Sequence, residues 1–282
     1  LSNRREGNQV FGAGAPPVGV QTRDVMKDDF GFEIPVESVP LPSGGAIYSQ
    51  DSALHNAKTI DIRAMTAREE DILTSRALIK KGTVISSLLQ SCIVEKGVEP
   101  SKMIVGDRNA VMIALRITGY GSEYEGEVDC PSCGAKSKQS FDLSSLSIKP
   151  LQIEPARPGE NVFEFFLPVS KKTVQFKFLT GADEEEILVM QERKKKLGGN
   201  ADSFVTTRLH FALVSVDGKT DRSLIASFVR SMPARDSLAL RTFIDENEPG
   251  VDMSVEFECP SCGETSEVSM PIGATFFWPN SK

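Results

Sequence analysis

Cys130-Pro131-Ser132-Cys133-Gly134 recurs, residue for residue, as Cys259-Pro260-Ser261-Cys262-Gly263. Thiolates at i and i+3 of a tight turn supply two corners of a tetrahedron, and zinc closed by four sulfurs is a structural form of that site. The proline shapes the turn, and the glycine lets backbone pass close to sulfur. One such knuckle is a weak signal, but two identical ones are a strong one. Each lacks two ligands, and the two histidines, His55 and His210, are not placed symmetrically near either. The economical expectation is one structural zinc per chain, held by Cys130, Cys133, Cys259 and Cys262. Two half-sites completed by a neighbouring subunit are the alternative. Four sulfurs leave a catalytic metal no open position. A redox Cys-x-x-Cys works at a helix N-terminus, whereas these pairs stand between strands, with Glu258 and Glu264 nearby. The fifth cysteine, Cys92, lies in an apolar stretch and is expected as a small core residue.

The elements that must position these knuckles repeat as well. Ile60 to Thr66 aligns with Val174 to Thr180 at an offset of 114, and Glu69 to Leu73 with Glu184 to Leu188 at 115. Asp107-Arg108 meets the Asp236 region, and Cys130 meets Cys259, at 129. The expectation is an α+β fold made by internal duplication of a strand–helices–hairpin unit. Thr66-x-x-Glu69 is a capping box opening a helix to about Lys81, stopped by Gly82. Thr180 opens its counterpart, and Gly198-Gly199 ends it. Further helices are expected at 84–94 and 203–214, then at 107–118 and 233–246. Val251, Met253, Val255, Phe257 and Cys259 share one strand face, with Tyr124, Gly126, Val128 and Cys130 in the same phase. Strands resume after each knuckle, so each knuckle caps a β-hairpin.

The domain reading is an extended Gly/Pro-rich arm at 1–45, a first repeat at 46–148, a linker at 149–159 and a second repeat at 160–282. Gly12 to Pro17, Pro35, Pro40, Pro42 and Gly44-Gly45 argue against regular structure in the arm. Its apolar stops (Val18, Val20, Phe30, Phe32 and Ile34) suit docking on a partner. No apolar run reaches the roughly 18 residues of a membrane span, and Leu1 to Val10 has no signal-peptide core. A cytoplasmic place of synthesis is therefore expected. Net charge is −7, from 39 acidic and 32 basic residues, without the basic surplus that phosphate-backbone binding uses. Lys194-Lys195-Lys196 follows Asp183 to Glu186 on one helix, an order that complements the helix dipole. Zinc knuckles can bind nucleic acid, so a zinc-ribbon nucleic-acid-binding or regulatory protein is the rival reading. Lys136 and Lys138 favour it, while Glu264, Glu267 and the absence of knuckle aromatics oppose it. No phosphate loop, paired-histidine helix or nucleophile elbow points to an enzyme.

In order, a Gly/Pro-rich arm ends in Val39-Pro40-Leu41-Pro42-Ser43-Gly44-Gly45-Ala46-Ile47-Tyr48; a Thr-initiated acidic helix and a Cys-Pro-x-Cys-Gly hairpin follow; Phe276-Phe277-Trp278-Pro279 closes the chain. This order resembles the baseplate hub proteins of T-even-type contractile-tailed bacteriophages, over about residues 36 to 280. The resemblance implies a structural subunit or assembly factor of the tail baseplate, without enzymatic activity. It would be assembled in the host cytoplasm, belong to the tail baseplate of the virion, and be partnered by other tail proteins rather than by nucleic acid, membrane or a small-molecule substrate. Phe276, Phe277 and Trp278 are candidate partner anchors, or else the last strand closing the core.

Overall fold

The computed structural model describes residues 22–27, 31, 33–196, 204–270 and 276–277. In the first half, β1 (Thr22–Lys27), β2 (Glu33–Pro40) and β3 (Thr59–Arg63) form an antiparallel sheet with β2 in the middle. Then come α1 (Ala67–Thr74), α2 (Arg76–Lys81), α3 (Val84–Cys92) and α4 (Val105–Tyr120). The hairpin β4 (Glu123–Asp129) and β5 (Lys136–Asp142) follows, then the short β6 (Ile148–Lys149). The second half runs β7 (Phe163–Phe166), β8 (Thr173–Phe176), α5 (Gly181–Lys196), α6 (Phe204–Ala212) and β9 (Leu213–Val216). It continues with α7 (Arg222–Ser231), α8 (Ala234–Asn247), β10 (Gly250–Val251) and the hairpin β11 (Ser254–Glu258) and β12 (Thr265–Ser269).

The two halves use the same local devices. Alternation in β3 buries Ile60 and Ile62. The next helix opens on Thr66, whose N–H and hydroxyl both donate to Glu69 Oε2, at 2.8 and 2.7 Å, while Arg63 pairs with Glu69 at 2.7 Å. In the second half the Thr180 N–H and hydroxyl donate to Asp183 Oδ2, at 2.8 and 2.7 Å, and Lys177 pairs with Asp183 at 2.8 Å. All three positions stand 114 apart, so the residue that takes the role of Glu69 is Asp183 rather than Glu184. Fully buried acids on α4 and α8 then hold the turns that leave β2 and β7. Asp107 accepts from Ser43 N–H, Ser43 hydroxyl and Tyr48 hydroxyl at 2.9, 2.6 and 2.6 Å. Asp236 accepts from the N–H groups of Val169 and Ser170 at 2.7 and 2.9 Å.

The halves interlock around α4, which is buried without a break from Gly106 to Arg116 except at Asn109. β6 pairs with β10, Val105 N–H donates to Leu179 C=O at 2.9 Å, and Gly181 N–H donates to Met103 C=O at 2.9 Å. A Cβ at Gly106 would stand 1.7 Å from the Pro249 carbonyl oxygen, so only glycine allows this backbone approach. Arg116 spends its guanidinium on three carbonyls, those of Phe276, Gly121 and Glu123, at 2.7, 2.6 and 2.8 Å.

Several expectations are corrected here. Residues 33–40, read as part of an extended arm, form the central strand β2, with Val36 and Val39 in the core. Pro40 ends the β2–β3 ladder, and Pro35 pairs with Val25 beside the register shift of the β1–β2 ladder, the kinds of position where a missing donor is tolerated. The segment from 41 to 58 packs onto the body, so no structural break falls at 45/46. The whole of the arm before β1 lies outside the described residues. The helix expected from 66 to 81 is two, broken at Ser75, whose backbone is extended. The helix expected over 203–214 ends at Ala212 and gives way to β9. Gly198-Gly199 lies outside the described residues, as do the side chains of Lys194 to Lys196.

Candidate metal centre

Strand alternation aims each knuckle. In β4 Tyr124, Gly126 and Val128 face inward, and Glu123, Glu125, Glu127 and Asp129 face out; the phase carries Cys130 into the core at 2% exposure. β4 and β5 pair in unbroken register from Glu123↔Asp142 to Asp129↔Lys136, which places residues 130–135 at the tip. In β11 the inward residues are Val255 and Phe257, and Cys259 follows at 1% exposure. The tips close alike. Cys130 N–H donates to Ala135 C=O at 2.9 Å, and Cys259 N–H to Glu264 C=O at 3.0 Å. Gly134 and Gly263 N–H groups return to the cysteine carbonyls at 2.9 and 2.8 Å, both glycines at φ 72°. That left-handed backbone is why a glycine follows each second cysteine.

The four sulfurs converge. Cys130 Sγ lies 3.8 Å from Cys262 Sγ, and Cys133 Sγ 3.7 Å from Cys259 Sγ, with all four within 4.8 Å of one another. Zinc–sulfur bonds of about 2.3 Å give a tetrahedron whose edges are about 3.8 Å. The donor set and its spacing therefore fit a tetrahedral thiolate-bound ion. Cys130 and Cys259 face the core, and Cys133 and Cys262 face solvent. N–H groups of Cys262 and Ser261 directed at the Cys259 sulfur hold its thiol down to about 6. At Cys262 the Glu264 N–H favours the thiolate, but burial and the sulfurs of Cys133, Cys259 and Cys130 outweigh it and push the thiol up to about 12. Four thiolates this close repel, and a cation removes the conflict.

The sequence-expected residues fall out as follows. The four cysteines come together in one chain; no sulfur of a second chain is needed to complete the set. His55 sits elsewhere, with Nδ1 2.6 Å from the Tyr48 carbonyl, and His210 is half-buried on α6. Cys92 is fully buried, and burial pushes its thiol up to about 12, which makes it inert packing. Phe276 and Phe277 are 1% and 5% exposed. Phe276 packs edge-on to Tyr124 at 5.3 Å and to Phe277 at 5.0 Å, so these two rings pack into the core beneath the first hairpin. Trp278 lies outside the described residues. Lys136, on the outer face of the first hairpin, is tied to Glu127 and Asp129 at 3.1 and 3.2 Å. Arg116 went unread, because its role depends on carbonyls brought together only by folding.

Residues 39–162 match the family model described as T4 bacteriophage base plate protein. The matched stretch begins within β2, takes in the first knuckle and stops short of half the chain. The likeness to a T4-type phage baseplate protein is carried by that stretch alone. No curated protein and no solved structure matches the chain. Among the described residues, no helix is long and apolar enough to cross a membrane.

Proposed function

We propose that this chain is a structural subunit or assembly factor of the baseplate hub of a contractile phage tail. It acts through protein contacts on a body clamped by one zinc ion. The match of residues 39–162 to the baseplate family carries the tail assignment. The meeting of four sulfurs from two distant hairpins supports the clamp. Zinc suits the site because soft thiolates in a tetrahedron select it over oxygen-seeking cations. Cys130, Cys133, Cys259 and Cys262 would hold it, and when bound it neutralises their charge and joins the hairpins.

The two halves are read as copies of one ancestral unit. The constant offset of the Thr66/Thr180 caps with their ion pairs, and the paired roles of Asp107 and Asp236, support this independently of the cysteines. The hub role is tested by purifying tails of the phage that encodes the chain and probing them with an antibody against it. Retention through a density gradient, with no turnover of any substrate, is expected. A chain that never associates with tails or their assembly intermediates would overturn the assignment. The acidic outer faces of both hairpins oppose the nucleic-acid alternative, which would show as DNA affinity falling steeply with salt.

A further inference from the structure

Corresponding faces of the two halves differ in what covers them. In the first half, residues 41–58 link β2 to β3, with Leu41, Ile47, Tyr48 and Leu54 buried. That loop lies against the segment leading into α4, where the Tyr48 hydroxyl accepts the Ile104 N–H at 3.1 Å. In the second half, only residues 167–172 link β7 to β8, although Asp236 anchors the turn as Asp107 anchors the loop. The segment leading into α8 contains α7, and nothing of this chain's described residues fills the space beside it. A groove of about 170 Å³ remains there, floored by Val216, Leu224, Ile225 and Phe228 and edged by Lys172 and Lys219. Leu224 is 55% exposed. Phe166, 56% exposed, pairs across from Thr173, whose carbonyl accepts the N–H of Asp217 at the groove's edge.

We propose that a loop of a different tail protein fills this groove, taking in the second half the place that residues 41–58 take in the first. This rests on the reading of the chain as a baseplate subunit. The covering loop of the first half sets the chemistry: aliphatic and aromatic side chains over an apolar floor. The charges at the edge set the rest. Asp217 is already bound to Lys172 at 2.6 Å, which leaves Lys219 at the edge and Lys171 over the Phe166 ring. The incoming loop therefore carries carboxylates beside its apolar side chains. The chain's own first 21 residues, with Arg4 and Arg5 against Glu6 alone, have the wrong charge.

The test places the photocrosslinker p-benzoylphenylalanine at position 166, and separately at 224, in the full chain produced with the tail genes of its phage. Purified tails are irradiated and the crosslinked peptides sequenced. A peptide of another tail protein, apolar with Asp or Glu, is expected from both positions. Crosslinks confined to a second copy or to this chain's own N-terminal residues would overturn the proposal, as would none in tails that contain the chain. Absence of the chain from tails would instead overturn the baseplate reading beneath it. A Phe166→Glu, Leu224→Glu double variant should keep its melting temperature and fall at least tenfold in tail incorporation; undiminished incorporation would contradict the proposal.

Discussion

Glu69 is fully buried yet ionised. Burial alone would raise its pKa, but Arg63, the Ser91 hydroxyl and the Thr66 hydroxyl and N–H together outweigh it and hold the carboxyl down from 4.5 to about 2. A folded-state value below the unfolded one stabilises the fold above about pH 4.5 and loses that contribution as pH falls toward 2. The shift corresponds to at most roughly 3 kcal/mol. Glu69→Gln should therefore destabilise the protein at pH 7, and the gap between wild type and variant should narrow by more than half by pH 3. Urea midpoints across that range measure it; a constant gap would show that the charge on Glu69 is not what matters. The capping box itself was legible, since Thr66-x-x-Glu69 is a local pattern. Arg63 and Ser91 were not, because no local pattern announces a partner on another element.

Among the elements, α4 bears the tightest constraint. Gly106 lets the turn at Pro249 pass against its first residues, and Gly106→Ala should cost about 1–3 kcal/mol through overpacking. Thermal unfolding of the purified variant measures this, and an unchanged midpoint would mean that the two backbones separate freely. Period-two patterns revealed β3, β4 and β11 in advance, because one face of each is buried and the other wet. α7 went unread although Asp221 caps it, its side chain accepting the Leu224 N–H at 2.9 Å, and Ile225 and Val229 form its buried stripe. β7 and β9 are four residues each and too short to show a period. β9 also continues the apolar run of α6 with no glycine or proline between, so the change from helix to strand is made by pairing with β8. In β2, Pro40 falls at the end of one ladder and Pro35 beside the register shift of the other, which only the pairing reveals.

The whole molecule is two interlocked halves joined at several places. β6 pairs with β10, Ile104 bridges Thr180, and Ser86 hydrogen-bonds to Glu185 beside the Arg108–Glu185 pair. The sulfur cluster is the one junction among these made from the two hairpin tips, where a bound metal would contribute folding free energy directly. Sequence spacing brought out the knuckles and the ligand count their meeting within one chain; how the halves pack to bring them together is what spacing does not encode. Removing one ligand should then loosen both hairpins: Cys259→Ser should raise amide exchange in β4–β5 as well as in β11–β12. Faster exchange confined to β11–β12 would contradict a shared ion. The most direct test is native mass spectrometry of the full chain at defined zinc activity. The account predicts a monomer carrying one zinc, lost in Cys259→Ser and in Cys133→Ser alike. A monomer with two zincs, with none, or with zinc bound only in a dimer would contradict it.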